Sequence, residues 1–105
     1  MPQFIVVYAY YKDGQTEVVH FANEDSLRKR LIHELIHSQE EEDCDDNNVK
    51  FVEDPSILDT PQLITNTVHW GRLSVDYGQV WGIVHVTAIA DDGKVTLYGP
   101  TVYKN

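Results

Sequence analysis

The sequence predicts an α+β fold, in which a mostly antiparallel sheet of five or six strands carries one long helix (residues 24–42, approximately) on one face. Two observations predict this class. Runs of β-branched and aromatic residues flank the turns Asp13-Gly14 and Asp92-Gly93, which is typical of antiparallel hairpins. Between the hairpins lies a stretch whose apolar residues recur at helical spacing. The length of 105 residues predicts one domain, spanning 1–105.

The strands are predicted from β-branched and aromatic content and from the turns that bound them. The first strand, 3–11, has apolar residues on both faces, which predicts a central strand covered on two sides. Asp54-Pro55 and Thr60-Pro61 resemble helix caps followed by a first helical proline, so each is predicted to start a brief helical turn. The remaining predicted strands are 16–22, 49–53, 67–75 (bulged at Gly71), 80–90 and 95–103.

The long helix is predicted to begin at caps within 23–26 and to pack by one half of its surface. Arg28 and Gln39 share that packed half with the apolar residues, whereas His33 and His37 fall on the other half and face away from the sheet. The apolar residues of the packed half are Leu27, Leu31, Ile32, Leu35 and Ile36.

Negative charge is concentrated in one segment. The chain has 17 acidic and 8 basic residues, a net charge of −9, and six of the acidic residues lie within 40–46. This balance argues against nucleic acid as a partner, since phosphates require Lys and Arg, and it favours a basic protein surface. The predicted partner-binding residues are Glu40, Glu41, Glu42, Asp43, Asp45 and Asp46.

The motif His33-Glu34-Leu35-Ile36-His37 resembles the His-Glu-x-x-His pattern on the active-site helix of zincin metalloproteases. Two histidines four residues apart lie on one face of a helix, so both imidazoles can reach one Zn²⁺. The resemblance implies zinc held by His33 and His37, with Glu34 as the base that deprotonates metal-bound water. A third ligand is required, and His69 is a candidate on a predicted strand. The competing interpretation is a solvated helix face.

Two hypotheses about function therefore stay open. We favour a small non-enzymatic binding module, similar in size and charge to inhibitors, immunity proteins and anti-defence proteins, that needs no cofactor. The alternative is a minimal zinc metallopeptidase. Exposed Tyr and Trp side chains would anchor the binding module, because these residues favour interface hot spots. A homodimer formed through an edge strand is a further possibility.

The location of the protein is predicted from two features. No apolar run approaches the roughly 18 residues of a membrane span. Cys44 has no second cysteine with which to form an internal disulfide, which suits a reducing compartment, and we predict the cytoplasm.

Overall fold

A computed structural model of the chain describes residues 2–10, 16–41, 51–76 and 81–99. Within these ranges it contains four strands, two α-helices and one 3-10 turn at Pro55–Ile57. The elements are, in chain order, β1 (Gln3–Tyr10), β2 (Thr16–Phe21), α1 (Glu24–Glu41), α2 (Thr60–Asp76), β3 (Trp81–Ile89) and β4 (Val95–Tyr98).

The α+β class is confirmed, with a different count of elements. The strand order is β2-β1-β3-β4 and every neighbouring pair is antiparallel. The described residues therefore form a four-stranded sheet instead of five or six strands, and they carry two helices instead of one. Residues 1, 11–15, 42–50, 77–80 and 100–105 lie outside the description. The first turn, the end of the long helix, the first residue of the predicted strand 80–90 and the last part of the final predicted strand are therefore not compared.

The largest difference concerns 67–75, where the predicted strand is wrong. This segment is the second half of α2, which begins at Thr60 and continues to Asp76. Buried residues recur along α2 at helical spacing. They are Leu63, Ile64, Thr67, Val68, Trp70 and Gly71. The β-branched residues suggested a strand, but their buried positions follow a helical period, and tertiary packing overrides intrinsic propensity.

The start of α2 is fixed by a reciprocal pair of hydrogen bonds. The backbone N–H of Gln62 donates to the Asp59 carboxylate at 2.8 Å, and the backbone N–H of Asp59 donates to the Gln62 side chain at 3.2 Å. This is a capping box, with Asp59 and not Thr60 as the cap. The turn at Asp54-Pro55 is confirmed as a 3-10 turn, with Asp54 as its cap.

The predicted short strand at 49–53 is not a strand in its described part, 51–53. Val52 is held by a side chain of α1 instead. The Gln39 amide donates to the Val52 carbonyl at 3.0 Å and accepts from the Val52 N–H at 2.7 Å. The primary amide thus satisfies both backbone groups that a neighbouring strand would otherwise bond.

Arg28 fastens the next stretch of chain to α1. Its guanidinium donates to the Leu58 carbonyl at 2.7 Å, to the Ser56 carbonyl at 3.3 Å and to the Thr60 hydroxyl at 3.1 Å. The predicted placement of Arg28 and Gln39 on the packed half of α1 is therefore explained. They hold the segment that leads into α2.

The two faces of the sheet differ in whether helices pack on them. Phe4, Val6 and Tyr8 of β1 are buried, and the register places Val6 beside Val86 and Tyr8 beside Ile83, which are also buried. These five residues join buried residues of α1 and α2 in one apolar cluster. Both helices therefore pack on the same face of the sheet, which we call the covered face. Because the helices share that face, the expectation of a first strand covered on two sides is not met by the described elements.

Helix α2 approaches β3 unusually closely. A Cβ atom at Gly82 would lie 2.6 Å from the Gly71 carbonyl oxygen, and one at Gly71 would collide with the backbone of Ile83. The two glycines therefore allow backbone-to-backbone packing that no other residue permits. Gly71 is a contact point of a helix and not a strand bulge.

Neither described helix combines the length and the apolar content needed to cross a membrane.

Candidate functional site

The His-Glu-x-x-His motif lies on α1, the type of element on which the sequence predicted it. His33 and His37 are both exposed, and their rings are stacked with centroids 6.5 Å apart and planes 6° apart. The prediction that both histidines face away from the sheet is therefore confirmed. The two imidazoles form a pair that is open to solvent.

Glu34 lies beside the histidine pair, on the side of the helix that packs inward, and it is buried, with 4% of its area exposed. It is seven residues from Leu27, so it belongs to the stripe that packs inward. Its Oε1 lies 3.6 Å from the Arg30 guanidinium and has no hydrogen-bond partner among the described residues. Burial raises the pKa of Glu34, and the charges of His33, Arg30 and His37 oppose that rise in part.

The packed stripe of α1 is thus rotated relative to the prediction. Glu34 and Ser38 are buried, whereas Ile36, which was predicted to pack, is exposed. Helix α1 contacts α2 as well as the sheet. The buried residues of α1 are therefore those that face either the sheet or α2. The apolar pattern alone could not indicate a second helix at this side.

In this geometry the carboxylate and the two imidazoles that a zinc peptidase would use together do not face the same space. A base for metal-bound water must reach the same space as the two imidazoles, but the Glu34 carboxylate is turned inward and they are turned outward. His69, the candidate third ligand, is exposed on α2 instead of on a strand. In the described part of the chain, no three His, Cys, Asp or Glu side chains are placed to share one metal ion. The peptidase hypothesis stays a prediction.

The predicted acidic partner-binding segment is only partly described. Glu40 is exposed on α1 and Glu41 is its last residue. The other four residues, Glu42, Asp43, Asp45 and Asp46, lie outside the described residues.

A feature that the sequence reasoning missed is the second face of the sheet, which we call the open face. Val18, Val95 and Leu97 project from it with 63%, 57% and 68% of their areas exposed. The register aligns His20, Ile5, Thr87 and Leu97 in one row across all four strands. Val18 and Val7 lie in the next row, beside His85. Adjacent residues of a strand point to opposite faces of the sheet. The adjacent apolar pairs Val18-Val19 and Leu97-Tyr98 therefore indicated that both faces carry apolar residues.

The histidines of the open face bond to their neighbours. His20 Nε2 is hydrogen-bonded to the Gln3 side chain at 3.0 Å, and His85 Nε2 to the Thr87 hydroxyl at 3.0 Å. The desolvation free energy of covering a polar atom with another surface is lower when that atom already has a hydrogen-bond partner. These two bonds therefore lower the cost of covering part of the polar surface of the open face.

The predicted Tyr and Trp anchors are tested at three positions only, because the side chains of Tyr10, Tyr11, Tyr77, Trp81 and Tyr103 lie outside the description. Tyr8 and Trp70 are buried in the core, and Tyr98 is half-buried against it. The exposed large apolar residues of the described sheet are aliphatic, and Phe51 is an exposed aromatic residue outside the sheet.

Comparison with known proteins gave no match to this chain, whether against family models, curated proteins or solved structures.

Proposed function

We propose that this chain is a small non-enzymatic binding module that docks its open face on a basic protein. The observation that carries the proposal is the set of exposed aliphatic side chains on the open face, with Val18 on one edge strand and Val95 and Leu97 on the other. Single exposed apolar residues are ordinary, but several on one face of a sheet are typical of an interaction site.

The shape of the open face favours a protein over a small molecule. Small-molecule sites are concave, whereas this face is a sheet surface. Four strands spaced by about 4.8 Å and about five residues along each strand give a face of roughly 250 Å². One partner in a stable complex contributes about 800 Å². The open face would therefore be the apolar centre of an interface, with polar surroundings completing it.

The charge of the chain indicates the kind of partner. The net charge of −9 repels a second copy and attracts a basic surface. The acidic segment 40–46 would raise the rate of encounter, while the open face would hold the complex once formed. Docking by this route requires no cofactor and no reaction.

Two variants with the same charge change test this proposal. Leu97→Glu places a carboxylate on the open face, and Ile57→Glu places one at an exposed apolar position (78% exposed) outside the sheet. We expect the native chain and Ile57→Glu to retain the same basic protein from a cell lysate, and Leu97→Glu to lose it. The retained protein is then purified, and its affinity for all three forms is measured by calorimetry.

Equal affinity for Leu97→Glu and Ile57→Glu would exclude the open face as the docking surface. Light scattering of the native chain provides a second check. A dimer that Leu97→Glu dissociates and Ile57→Glu leaves intact would assign the open face to a second copy, and the proposal of a basic partner would then be wrong.

A further inference from the structure

The exposed histidine pair of α1 remains unused by the docking proposal. His33 and His37 lie one helical turn apart, and both rings reach solvent. Their stacked arrangement already places the two imidazoles side by side, with centroids 6.5 Å apart. Such a pair needs explanation, because nothing in the packing of α1 requires either ring.

The geometry is close to that of two ligands on one ion. Two imidazole nitrogens at about 2.1 Å from one ion are about 3.0 Å apart at a right angle and about 3.4 Å apart at the tetrahedral angle, which brings the ring centroids to about 5 Å. The pair would have to close by only about 1.5 Å from its observed separation. Exposed side chains reach such positions by ordinary changes of rotamer.

The electrostatic surroundings favour a cation at this position. Glu34 follows His33 directly and precedes His37 by three residues, so it lies beside both rings on the helix surface. Its Oε1 is buried and has no hydrogen-bond partner among the described residues. An added positive charge between the two rings would therefore be attracted by a nearby buried carboxylate, which also has the Arg30 guanidinium at 3.6 Å.

We propose that His33 and His37 form a two-histidine site for a late first-row divalent cation, namely Cu²⁺, Ni²⁺ or Zn²⁺. Imidazole selects these ions over Ca²⁺ and Mg²⁺, which prefer oxygen ligands. Two protein ligands leave the remaining coordination positions to water, so the ion exchanges readily and does not stabilise the fold as a structural zinc does. The site lies on α1 and not on the sheet, so it is independent of the docking proposal.

Titration of the tag-free chain with Ni²⁺, followed by calorimetry, tests the proposal. We expect one ion per chain. His33→Ala and His37→Ala should each weaken binding by at least about tenfold. His69→Ala removes an exposed histidine of α2 and should leave the affinity unchanged. Mg²⁺ should give no heat of binding at the same concentration.

A double variant tests whether the spacing creates the site. Lys29 is exposed and lies four residues before His33, so Lys29→His combined with His37→Ala restores a pair one turn apart. We expect Ni²⁺ binding to return in the double variant. Native affinity retained by either single alanine variant, or a native chain that binds no Ni²⁺, would overturn the proposal. Because all of these positions are exposed, far-ultraviolet circular dichroism of each variant should match that of the native chain.

Discussion

At the scale of single residues, the motif on α1 shows how far spacing alone can predict a site. The positions of His33 and His37 follow from helical periodicity, and their exposure was predicted from it. The burial of Glu34 was not predicted, since it depends on what packs beside the helix and not on the helix itself. A carboxylate between two histidines in the sequence therefore ended on the inward side of the same turn.

The buried carboxylate of Glu34 predicts a pH dependence of stability. Burial raises the pKa of Glu34 above its ordinary value of 4.5, so the folded chain holds this proton more tightly than the unfolded chain. The stabilising contribution of the bound proton is complete below pH 4.5 and is lost as the pH rises through the raised pKa. Ionised Glu34 is therefore less favourable to folding at neutral pH than a neutral side chain of the same shape.

Glu34→Gln supplies that neutral side chain. We expect the variant to gain stability relative to the native chain as the pH is raised from 4.5 to 7, measured as the difference in free energy of unfolding by urea. Glu40→Gln, on the exposed side of the same helix, is the control and should show no such trend. A difference for Glu34→Gln that is constant with pH, or that shrinks on raising the pH, would contradict the assigned burial.

At the scale of elements, the hairpins were predictable because they depend on local sequence, whereas α2 was not. β1, β2 and the β3–β4 hairpin follow from β-branched runs and Asp-Gly turns. In α2, residues 67–75 resemble a strand by composition, but the structure shows that they are helical. The buried Thr67 illustrates this, because its hydroxyl donates to the Leu63 carbonyl one turn earlier, at 2.7 Å.

The close packing of α2 on β3 predicts a large effect of a small substitution. In Gly71→Ala the new Cβ would overlap with backbone atoms of Ile83. A strand backbone cannot move aside as the end of a flexible side chain can. We expect a loss of at least about 2 kcal/mol in the free energy of unfolding, measured by urea titration. Thr65→Ala, at an exposed position of the same helix, should cost about 0.5 kcal/mol or less. A similar small cost for Gly71→Ala would mean that α2 does not rest on β3 as described.

At the scale of the whole molecule, charge and apolar surface have separate tasks in the docking proposal. The open face measures about 250 Å². The lifetime of a complex formed through it depends on the short-range packing at this face. Long-range attraction acts earlier, during encounter, and falls with added salt. A change in the acidic segment should consequently alter the association rate, and a change on the open face should alter the dissociation rate.

Neutralising the acidic segment tests this division with the basic partner obtained by capture. Replacing its six acidic residues by their amides should slow association by about tenfold or more at low salt and should flatten the dependence of the rate on salt. The dissociation rate should change little, because the open face is unaltered. A matched variant in which six dispersed acidic residues are replaced has the same net charge and should retain more of the native rate. Its replaced residues are Glu17, Glu24, Asp25, Glu53, Asp91 and Asp92. Equal rates for the two variants, measured by stopped-flow fluorescence, would show that net charge alone accelerates encounter and that residues 40–46 have no directing role.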